Sequence, residues 1–318
     1  MTSHHVPIGV ILKTWGTGEC TRFCLATIAE ARALPEELTI VDLGNDAVTR
    51  QYAEDLADRH SVRLHWLPVG RRLAPSEANR YALETLSTPL ACLLDNDVIV
   101  PRNWLGPMAT LLASPDVGLV APIRPDPFVR YPGRDESTEA VLDALKGPGR
   151  TPAEITHAFT NGVPLDEFGR AVQRLNGLAR AVTVEFPSFL SSCCLGFNRL
   201  AVEEVGGIAS PIFDSGYGSE DVDLSWRVMD AGYVVIRTSD VFVLHLRHTS
   251  LEANGVDFHA ELREANRLLY ARWRKRLRAW VRERMQSGDS LNDLSRRFII
   301  RELLRNTSFA TELPSELA

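Results

Sequence analysis

The sequence predicts an α/β fold in which a mostly parallel sheet is flanked by helices. Two observations lead to this prediction. Within residues 1–123, short apolar runs rich in β-branched residues alternate with stretches of helical spacing, an order typical of parallel strands joined by crossover helices. In addition, several apolar runs end in polar or acidic residues, and such sheets bind ligands at the carboxyl ends of their strands.

The elements of this first part follow from the apolar runs and the segments between them. We expect strands over residues 7–13, 38–42, 62–68, 89–95 and 117–121. We expect helices over residues 19–34, 47–60, 76–86 and 102–113. The first strand ends in Lys13-Thr14-Trp15 and the second in Asp42, which makes these strand ends the place to look for ligand contacts.

Residues 124–184 break this alternation. Several prolines punctuate the segment, and weak helical spacing occurs around residues 137–145 and 166–178. We expect an insertion over the sheet rather than a separate domain, and loops on a rigid scaffold often carry specificity.

The regular pattern resumes in residues 185–250. We expect a strand within residues 186–197, helices over 199–205 and 220–231, and strands over 233–238 and 241–246. Gly232 is a plausible residue to end the second helix, because glycine readily adopts the left-handed conformation found there.

Residues 251–318 predict a helical C-terminal extension. Within residues 261–284, apolar residues recur on one face and arginines cover the other. We expect the apolar stripe to pack on the core while the arginines face water. The basic face could instead make a weak peripheral contact with an anionic membrane surface.

The composition excludes several classes of protein. Of the 318 residues, 45% are hydrophobic and 24% are charged, as in ordinary globular domains, and the net charge of −6 argues against nucleic acid as a partner. No apolar run is long enough to span a bilayer, and the N-terminus lacks the pattern of a secretory signal, so we expect a cytoplasmic protein. Arg far outnumbers Lys among 35 basic residues, which hints at a bacterial source of high GC content.

Asp95-Asn96-Asp97 is the first segment that suggests chemistry. Two carboxylates at the end of an apolar strand are costly to bury unless a cation or hydrogen bonds compensate them. A divalent ion that bridges to phosphates is one such compensation. An acidic turn that caps the following helix is the alternative.

Gly216-Tyr217-Gly218-Ser219-Glu220-Asp221 is the second such segment. We expect Ser219 to cap a helix whose first turn contains Glu220 and Asp221, where the helix dipole favours negative charge. Capping alone accounts for the acidic residues but not for the two glycines and the aromatic ring, which would let a ligand approach the backbone and stack.

His245 is the third candidate. It lies at the end of an apolar strand, followed closely by His248. A histidine at a strand end is usually satisfied by a hydrogen bond, so metal ligation is the less common alternative for this residue taken alone.

Taken together and in this order, these segments resemble glycosyltransferase family 2, which has the GT-A fold. The family pattern is a strand ending in Thr-Tyr-Asn, then Val-Asp-Asp-Gly-Ser, a D-x-D triplet, an aromatic–Gly–Gly–Glu–Asp segment and a strand-end histidine. The matching segments here are Lys13-Thr14-Trp15-Gly16, Val41-Asp42-Leu43-Gly44-Asn45, Asp95-Asn96-Asp97, Tyr217-Gly218-Ser219-Glu220-Asp221 and His245. Leu43 replaces the second aspartate of the family's base-binding segment, which leaves the nucleobase open.

The resemblance implies a GT-A domain over residues 1–250 and a helical extension over 251–318. The domain would consist of a donor-binding half (1–123), the insertion (124–184) and a smaller acceptor-binding half (185–250). The implied reaction is transfer of a sugar from a nucleotide-diphospho-sugar to an acceptor hydroxyl with inversion. The acceptor would be a small molecule or a glycan, and the oligomeric state stays open.

The resemblance also implies roles for individual residues. Asp221 would be the general base. Asp97, His245 and Asp95 would hold Mn²⁺ or Mg²⁺, with His248 as an alternative to His245. The sugar donor would be gripped by Thr14, Trp15, Asp42, Arg80, Asp95 and Asn96. The acceptor would be held by Glu220, Tyr217 and Gly218.

Two other functions stay open at this point. A sugar nucleotidyltransferase has a similar α/β half but usually carries a basic residue after the glycines of its first loop, which Gly16-Thr17-Gly18-Glu19 lacks. A non-catalytic nucleotide-sugar-binding protein would have no use for Asp97, Asp221 and His245 together. A dehydrogenase is disfavoured because no G-x-G-x-x-G follows a strand.

Overall fold

The computed structural model describes residues 4–146, 149–247 and 249–313, so His248 lies outside the described residues. The strands are β1 (His4–Thr14), β2 (Ala33–Asp42), β3 (Arg63–Pro68), β4 (Leu90–Asp95), β5 (Val98–Ile99), β6 (Val117–Ile123), β7 (Ala181–Thr183), β8 (Cys194–Asn198), β9 (Val234–Phe242) and β10 (Leu244–His245).

The helices alternate with these strands and then continue alone. They are α1 (Gly18–Ala29), α2 (Ala47–His60), α3 (Pro75–Leu83), α4 (Leu105–Leu112), α5 (Thr138–Leu145), α6 (Pro152–Thr160), α7 (Leu165–Leu175), α8 (Arg199–Glu204), α9 (Glu220–Asp230), α10 (Thr249–Ala253), α11 (Phe258–Gln286), α12 (Leu291–Leu294), α13 (Phe298–Asn306) and α14 (Phe309–Glu312), with a 3₁₀ turn at Pro211–Phe213.

A large central sheet confirms the predicted α/β fold. Its strand order is β3-β2-β1-β4-β8-β6-β9-β7. Neighbouring strands are parallel except where β8 pairs with β4 and β6, and where β7 pairs with β9 at the edge. Successive side chains of β1 enter separate cores on the two faces, Val10 and Leu12 on one and Ile11 on the other, because strand side chains alternate.

Helix α1 is shorter than predicted because β2 begins early. The helical spacing over residues 19–34 continues past Ala29, but the chain from Ala33 onward pairs with β1. This pairing buries Glu37, whose carboxylate accepts hydrogen bonds from the Ser87 backbone N–H at 2.7 Å and pairs with Arg63. Partners distant in sequence therefore stabilise a strand where local spacing predicts a helix.

Residues 124–184 contain more regular structure than expected. Helix α6 was not predicted, although Thr151 and Glu154 form a capping box at its start, which is a signal readable from the sequence. Helices α5–α7 surround a separate cluster of aromatic side chains, in which Tyr131, Phe159 and Phe168 pack with ring centroids 5.1–5.4 Å apart. Strand β7 then joins the edge of the main sheet.

The C-terminal helices pack on α9, as the apolar stripe of residues 261–284 predicts. Leu269, Trp273, Leu277 and Val281 of α11 are buried, and Trp273 meets Trp226 of α9 edge to face at 5.4 Å. No helix in the described ranges is both long enough and apolar enough to cross a bilayer.

Candidate active site

A short antiparallel ladder brings the first and third predicted motifs together. Strand β10 pairs with β5, which follows directly after β4, and His245 lies opposite Val98. The imidazole Nε2 of His245 is therefore 3.2 Å from Asp97 Oδ1 and 3.7 Å from Asp95 Oδ2. The two aspartates and His245, which is separated from them by about half the chain, therefore lie close together in the fold.

These three side chains form a set of atoms that suits a divalent cation. Each offers one ligand atom, and these atoms lie within 4.8 Å of one another. Two carboxylate oxygens and an imidazole nitrogen are typical ligands for Mn²⁺, and less so for Mg²⁺, which prefers oxygen alone. The residues present therefore fit the expected divalent metal ion.

Strong electrostatic coupling links Asp97 to His245. Burial raises the pKa of Asp97, but attraction to His245 and hydrogen bonds from His245 and Thr249 outweigh it and lower the pKa to about 2. Burial lowers the pKa of His245, but attraction to Asp97 outweighs it and raises the pKa to about 10. Without a metal ion, the pair is therefore a buried ion pair at neutral pH.

Glu220 and Asp221 open helix α9, as predicted; Glu220 is buried and Asp221 is half-buried. Asp221 accepts hydrogen bonds from the backbone N–H groups of Val222, at 2.8 Å, and Ser192, at 3.2 Å. Burial raises the pKa of Asp221 above its usual value, and these two N–H groups oppose the increase. For Glu220, burial and the charge of Asp221 raise the pKa to about 8.

The turn before α9 differs from the expected cap. Ser219 adopts the left-handed conformation at φ 67° and makes no capping hydrogen bond; its hydroxyl instead donates to Asn266 Oδ1 of α11 at 3.0 Å. Gly218 has φ 100°, and a Cβ there would come within 2.7 Å of Leu262 Cδ1. The glycine is therefore needed because α11 packs directly on this turn.

A cavity of about 100 Å³ contains most of the predicted contacts for the sugar donor and the metal. Of the predicted residues, the following line it: Trp15, Asp95, Asn96, Asp97, Tyr217 and His245. Burial raises the pKa of Tyr217, as do the charges of Asp95, Glu220, Asp97 and Asp221. Glu220 and Asp221 themselves are not among the described residues that line this cavity.

Four polar or charged lining residues were not among the predicted site residues. Lys13 Nζ lies 3.7 Å from Asp95 Oδ1, and the Arg72 guanidinium stacks 5.4 Å from the ring centre of Trp15. Thr249 donates its hydroxyl to Asp97 Oδ2 at 2.8 Å, and Ser250 donates to Asn96 Oδ1 at 3.3 Å. Lys13 at a strand end carried a usable signal, whereas the other three lie in loops or a short helix without a motif.

Three predicted donor-binding residues do not line this cavity in the described part of the chain. The Thr14 hydroxyl shares a hydrogen bond of 2.8 Å with Thr21. The Asp42 carboxylate accepts from the backbone N–H groups of Gly44 and Asp46 and so holds the turn after β2. Arg80 forms a bidentate pair with Asp214.

Part of the sequence is similar to glycosyltransferases. A protein-family model described as "Glycosyl transferase family 2" matches residues 10–161. The pre-mycofactocin glycosyltransferase of Mycobacterium tuberculosis is 25% identical over 183 residues, which is 56% of this chain and 31% of that protein. The chain thus spans about a third of the length of the curated relatives it matches.

Solved structures share the fold at low sequence identity. S. aureus TarS 1–349 in complex with UDP-GlcNAc has a TM-score of 0.55 and 15% identity over 97% of this chain and 76% of that chain. The mannosyltransferase PcManGT from Pyrobaculum calidifontis, in complex with GDP-Man and Mn²⁺, has a TM-score of 0.51 and 17% identity over 80% of this chain and 59% of that chain. GalNAc-T7 with UDP, GalNAc and Mn²⁺ has a TM-score of 0.51 and 13% identity over 75% and 42% of the two chains.

Proposed function

We propose that the chain is a member of glycosyltransferase family 2 and that it transfers a sugar from a nucleotide-diphospho-sugar to an acceptor hydroxyl with inversion; the match of residues 10–161 to the family supports this. One observation carries the proposal: Asp95, Asp97 and His245 offer three ligand atoms within 4.8 Å of one another, in a cavity that Tyr217 also lines. The charge of Asp221, the candidate base, also acts on the Tyr217 hydroxyl.

We propose that Asp97, His245 and Asp95 hold a divalent cation, with Mn²⁺ as the first choice. When bound, the cation would act as a Lewis acid on the leaving diphosphate. Two of the similar structures contain Mn²⁺, which supports this assignment. Lys13 lies beside Asp95 and supplies a second positive charge on the same side of the cavity. Trp15 and Arg72 would cover the nucleotide with an aromatic and a cationic face.

We propose Asp221 as the group that takes the proton from the acceptor hydroxyl. Its two oxygens are oriented by fixed backbone N–H groups, which leaves lone pairs for one further proton donor. A base with a raised pKa accepts a proton more readily than an ordinary carboxylate. Attack by the acceptor oxygen from the face opposite the diphosphate would invert the anomeric centre.

Glu220 would then have a different role from its neighbour. Because its pKa is about 8, the carboxyl group is largely protonated at neutral pH and can donate a hydrogen bond. We propose that it donates to an acceptor oxygen, while Tyr217 and the backbone at Gly218 pack against the acceptor. The expected division into a donor-binding half (1–123), insertion (124–184), acceptor-binding half (185–250) and helical extension (251–318) remains our proposal for the domain organisation.

Nucleotide release from a panel of sugar donors tests this function. The purified chain is incubated with UDP-, GDP- and dTDP-sugars and Mn²⁺, with and without a mixture of small-molecule and glycan acceptors. We expect one nucleotide to be released in preference to the others, and release to stop when EDTA removes the metal ion. Release of pyrophosphate from a sugar 1-phosphate and a nucleoside triphosphate would point to a nucleotidyltransferase instead.

A further inference from the structure

We propose that a surface cavity beside edge strand β7 binds an anionic group, a carboxylate or a phosphate, of the acceptor. The proposal rests on the proposed function and names the class of acceptor. The cavity has a volume of about 350 Å³ and is lined by Val182, Ser188, Arg237, Arg297 and their neighbours. It shares no lining residue with the cavity around Asp97 and His245.

Its two arginines have no carboxylate partner within ion-pair distance among the described residues. Arg237 donates a hydrogen bond to the Phe189 carbonyl at 3.3 Å, and the Arg297 guanidinium stacks 5.2 Å from the ring centre of Trp280. Nearby arginines behave differently: Arg180 pairs with Asp240 at 2.8 Å and Arg296 with Asp293 at 3.7 Å. The cavity thus collects guanidinium groups that still have free donors.

Both arginines of this cavity are accessible. Arg237 and Arg297 are exposed, so an anion that enters the cavity can reach their guanidinium groups. Asp126 and Arg124 act on Arg237 with opposite charges, and Glu185 is the acidic residue among the described lining. An anion bound here would relieve the repulsion between the two guanidinium groups.

The cavity lies within reach of the proposed base. Ser188 lines the cavity, and the backbone N–H of Ser192 donates to Asp221. The four residue-to-residue steps from Ser188 to Ser192 span at most about 14 Å. An acceptor of the size of a disaccharide could place its hydroxyl at Asp221 and its anionic end here.

Guanidinium groups favour oxyanions at such a site. Their planar fork of N–H donors matches carboxylate and phosphate oxygens, and these charge-assisted hydrogen bonds are stronger than neutral ones. A neutral glycan would leave Arg237 and Arg297 without counter-charges. The cavity therefore selects an acceptor with a negatively charged group.

Titration calorimetry with inorganic phosphate and with acetate, on the full chain without added metal, tests the proposal. We expect at least one of the two anions to bind, and Arg237→Gln to weaken that binding by about tenfold, since a charge-assisted hydrogen bond is worth roughly 1.5–3 kcal/mol. Arg180→Gln removes a neighbouring, already paired arginine and is the matched control. Binding of phosphate alone indicates a phosphorylated acceptor, and binding of acetate indicates a carboxylate.

Equal anion affinity in Arg237→Gln and Arg180→Gln, or no binding of either anion to the unmodified chain, would overturn the proposal. Metal-dependent affinity for the nucleotide that the donor panel identifies is measured on the same proteins. That second measurement reports on Asp97 and His245, so a failure of the proposed reaction is distinguished from a failure of the anion site. A circular dichroism spectrum of each variant confirms that it is folded.

Discussion

At the residue scale, Glu220 and Asp221 are adjacent carboxyl groups in different environments. Asp221 is bound by two backbone N–H groups that favour its charged form. The pKa of Glu220 is raised to about 8 by burial and by the charge of Asp221. These different environments would let Asp221 accept a proton while Glu220 donates a hydrogen bond.

Asp221→Asn tests the assignment of the base. We expect turnover to fall by about 10²–10⁴-fold, because an amide cannot accept the proton, while affinity for the sugar donor is retained. Steady-state nucleotide release and calorimetry measure the two quantities. Glu220→Gln is the comparison variant: it keeps a hydrogen-bond donor, so we expect a smaller loss. The opposite ranking would assign the base to Glu220.

His245 makes a prediction about pH and metal affinity. Because its pKa is raised to about 10, the imidazole is protonated in the metal-free chain at neutral pH, and a metal ion must displace that proton. Mn²⁺ affinity should therefore increase with pH, by about tenfold per unit between roughly pH 6 and 9. Calorimetry in buffers of different ionisation enthalpy measures the proton released.

Two variants separate this effect from general changes in charge. Asp97→Ala removes a ligand and should abolish Mn²⁺-dependent nucleotide binding. His157→Ala removes an exposed histidine of α6 and should leave the pH dependence unchanged. Mn²⁺ affinity that is independent of pH would show that His245 is not a ligand.

At the scale of elements, a buried carboxylate joins α9 to α11. Asp223 is fully buried and accepts hydrogen bonds from Trp273 Nε1 and Arg227 Nε, each at 2.8 Å. It also forms an ion pair with Arg272, whose Nε lies 2.9 Å from Asp223 Oδ1. Trp273 and Arg272 belong to α11, whereas Arg227 belongs to α9. The C-terminal helix thus supports the helix that begins with Glu220 and Asp221.

Asp223→Ala should destabilise the fold by about 3–5 kcal/mol, because it leaves the buried Arg227 guanidinium without its carboxylate. Urea unfolding monitored by circular dichroism measures the change. Glu264→Ala is the matched control, since it breaks an exposed pair with Arg267 on α11 and should cost at most about 1 kcal/mol. Equal midpoints for the two variants would contradict the role of Asp223.

Helix α10 lines the cavity around Asp97 and His245. The cavity of about 100 Å³ is smaller than the pockets of roughly 300–1,000 Å³ that hold small ligands. Thr249, Ser250 and Leu251 of α10 line it, and Thr249 bonds to Asp97. We infer that α10 moves outward before a nucleotide-sugar enters.

Stopped-flow binding of a fluorescent nucleotide tests this opening step. We expect the observed rate to reach a plateau at high nucleotide concentration, set by the opening of α10. Thr249→Val removes the hydrogen bond to Asp97 and should raise the plateau several-fold, since such a bond is worth about 1 kcal/mol or more. Thr110→Val, which removes an exposed hydroxyl of α4, should not change it. A strictly linear rate in the unmodified chain would argue that the cavity is already open.

At the scale of the whole molecule, the sheet and the C-terminal helices contribute residues to different cavities. The carboxyl ends of β1 and β4 supply Lys13, Trp15 and Asp95 to one cavity, as expected for a sheet of this type. The C-terminal helices supply Arg297 to the cavity beside β7 and the Asn266 amide to the turn before Glu220. The resemblance to the family does not cover residues 251–318. These residues nevertheless contact both the cavity beside β7 and the turn that precedes Glu220 and Asp221.

The sequence by itself determined the alternation of strands and helices, the D-x-D end of β4, the acidic start of α9 and the apolar stripe of α11. All of these are local patterns. The strands, the helices and the stripe follow from the period of their apolar residues, and the acidic motifs are read directly from neighbouring residues. Only the tertiary structure decided that Thr249 and Lys13 contact the aspartates, that Thr14, Asp42 and Arg80 have partners elsewhere, and that unpaired arginines meet beside β7. Those contacts join residues far apart in the chain, and no local spacing records which distant side chain a folded sheet brings alongside.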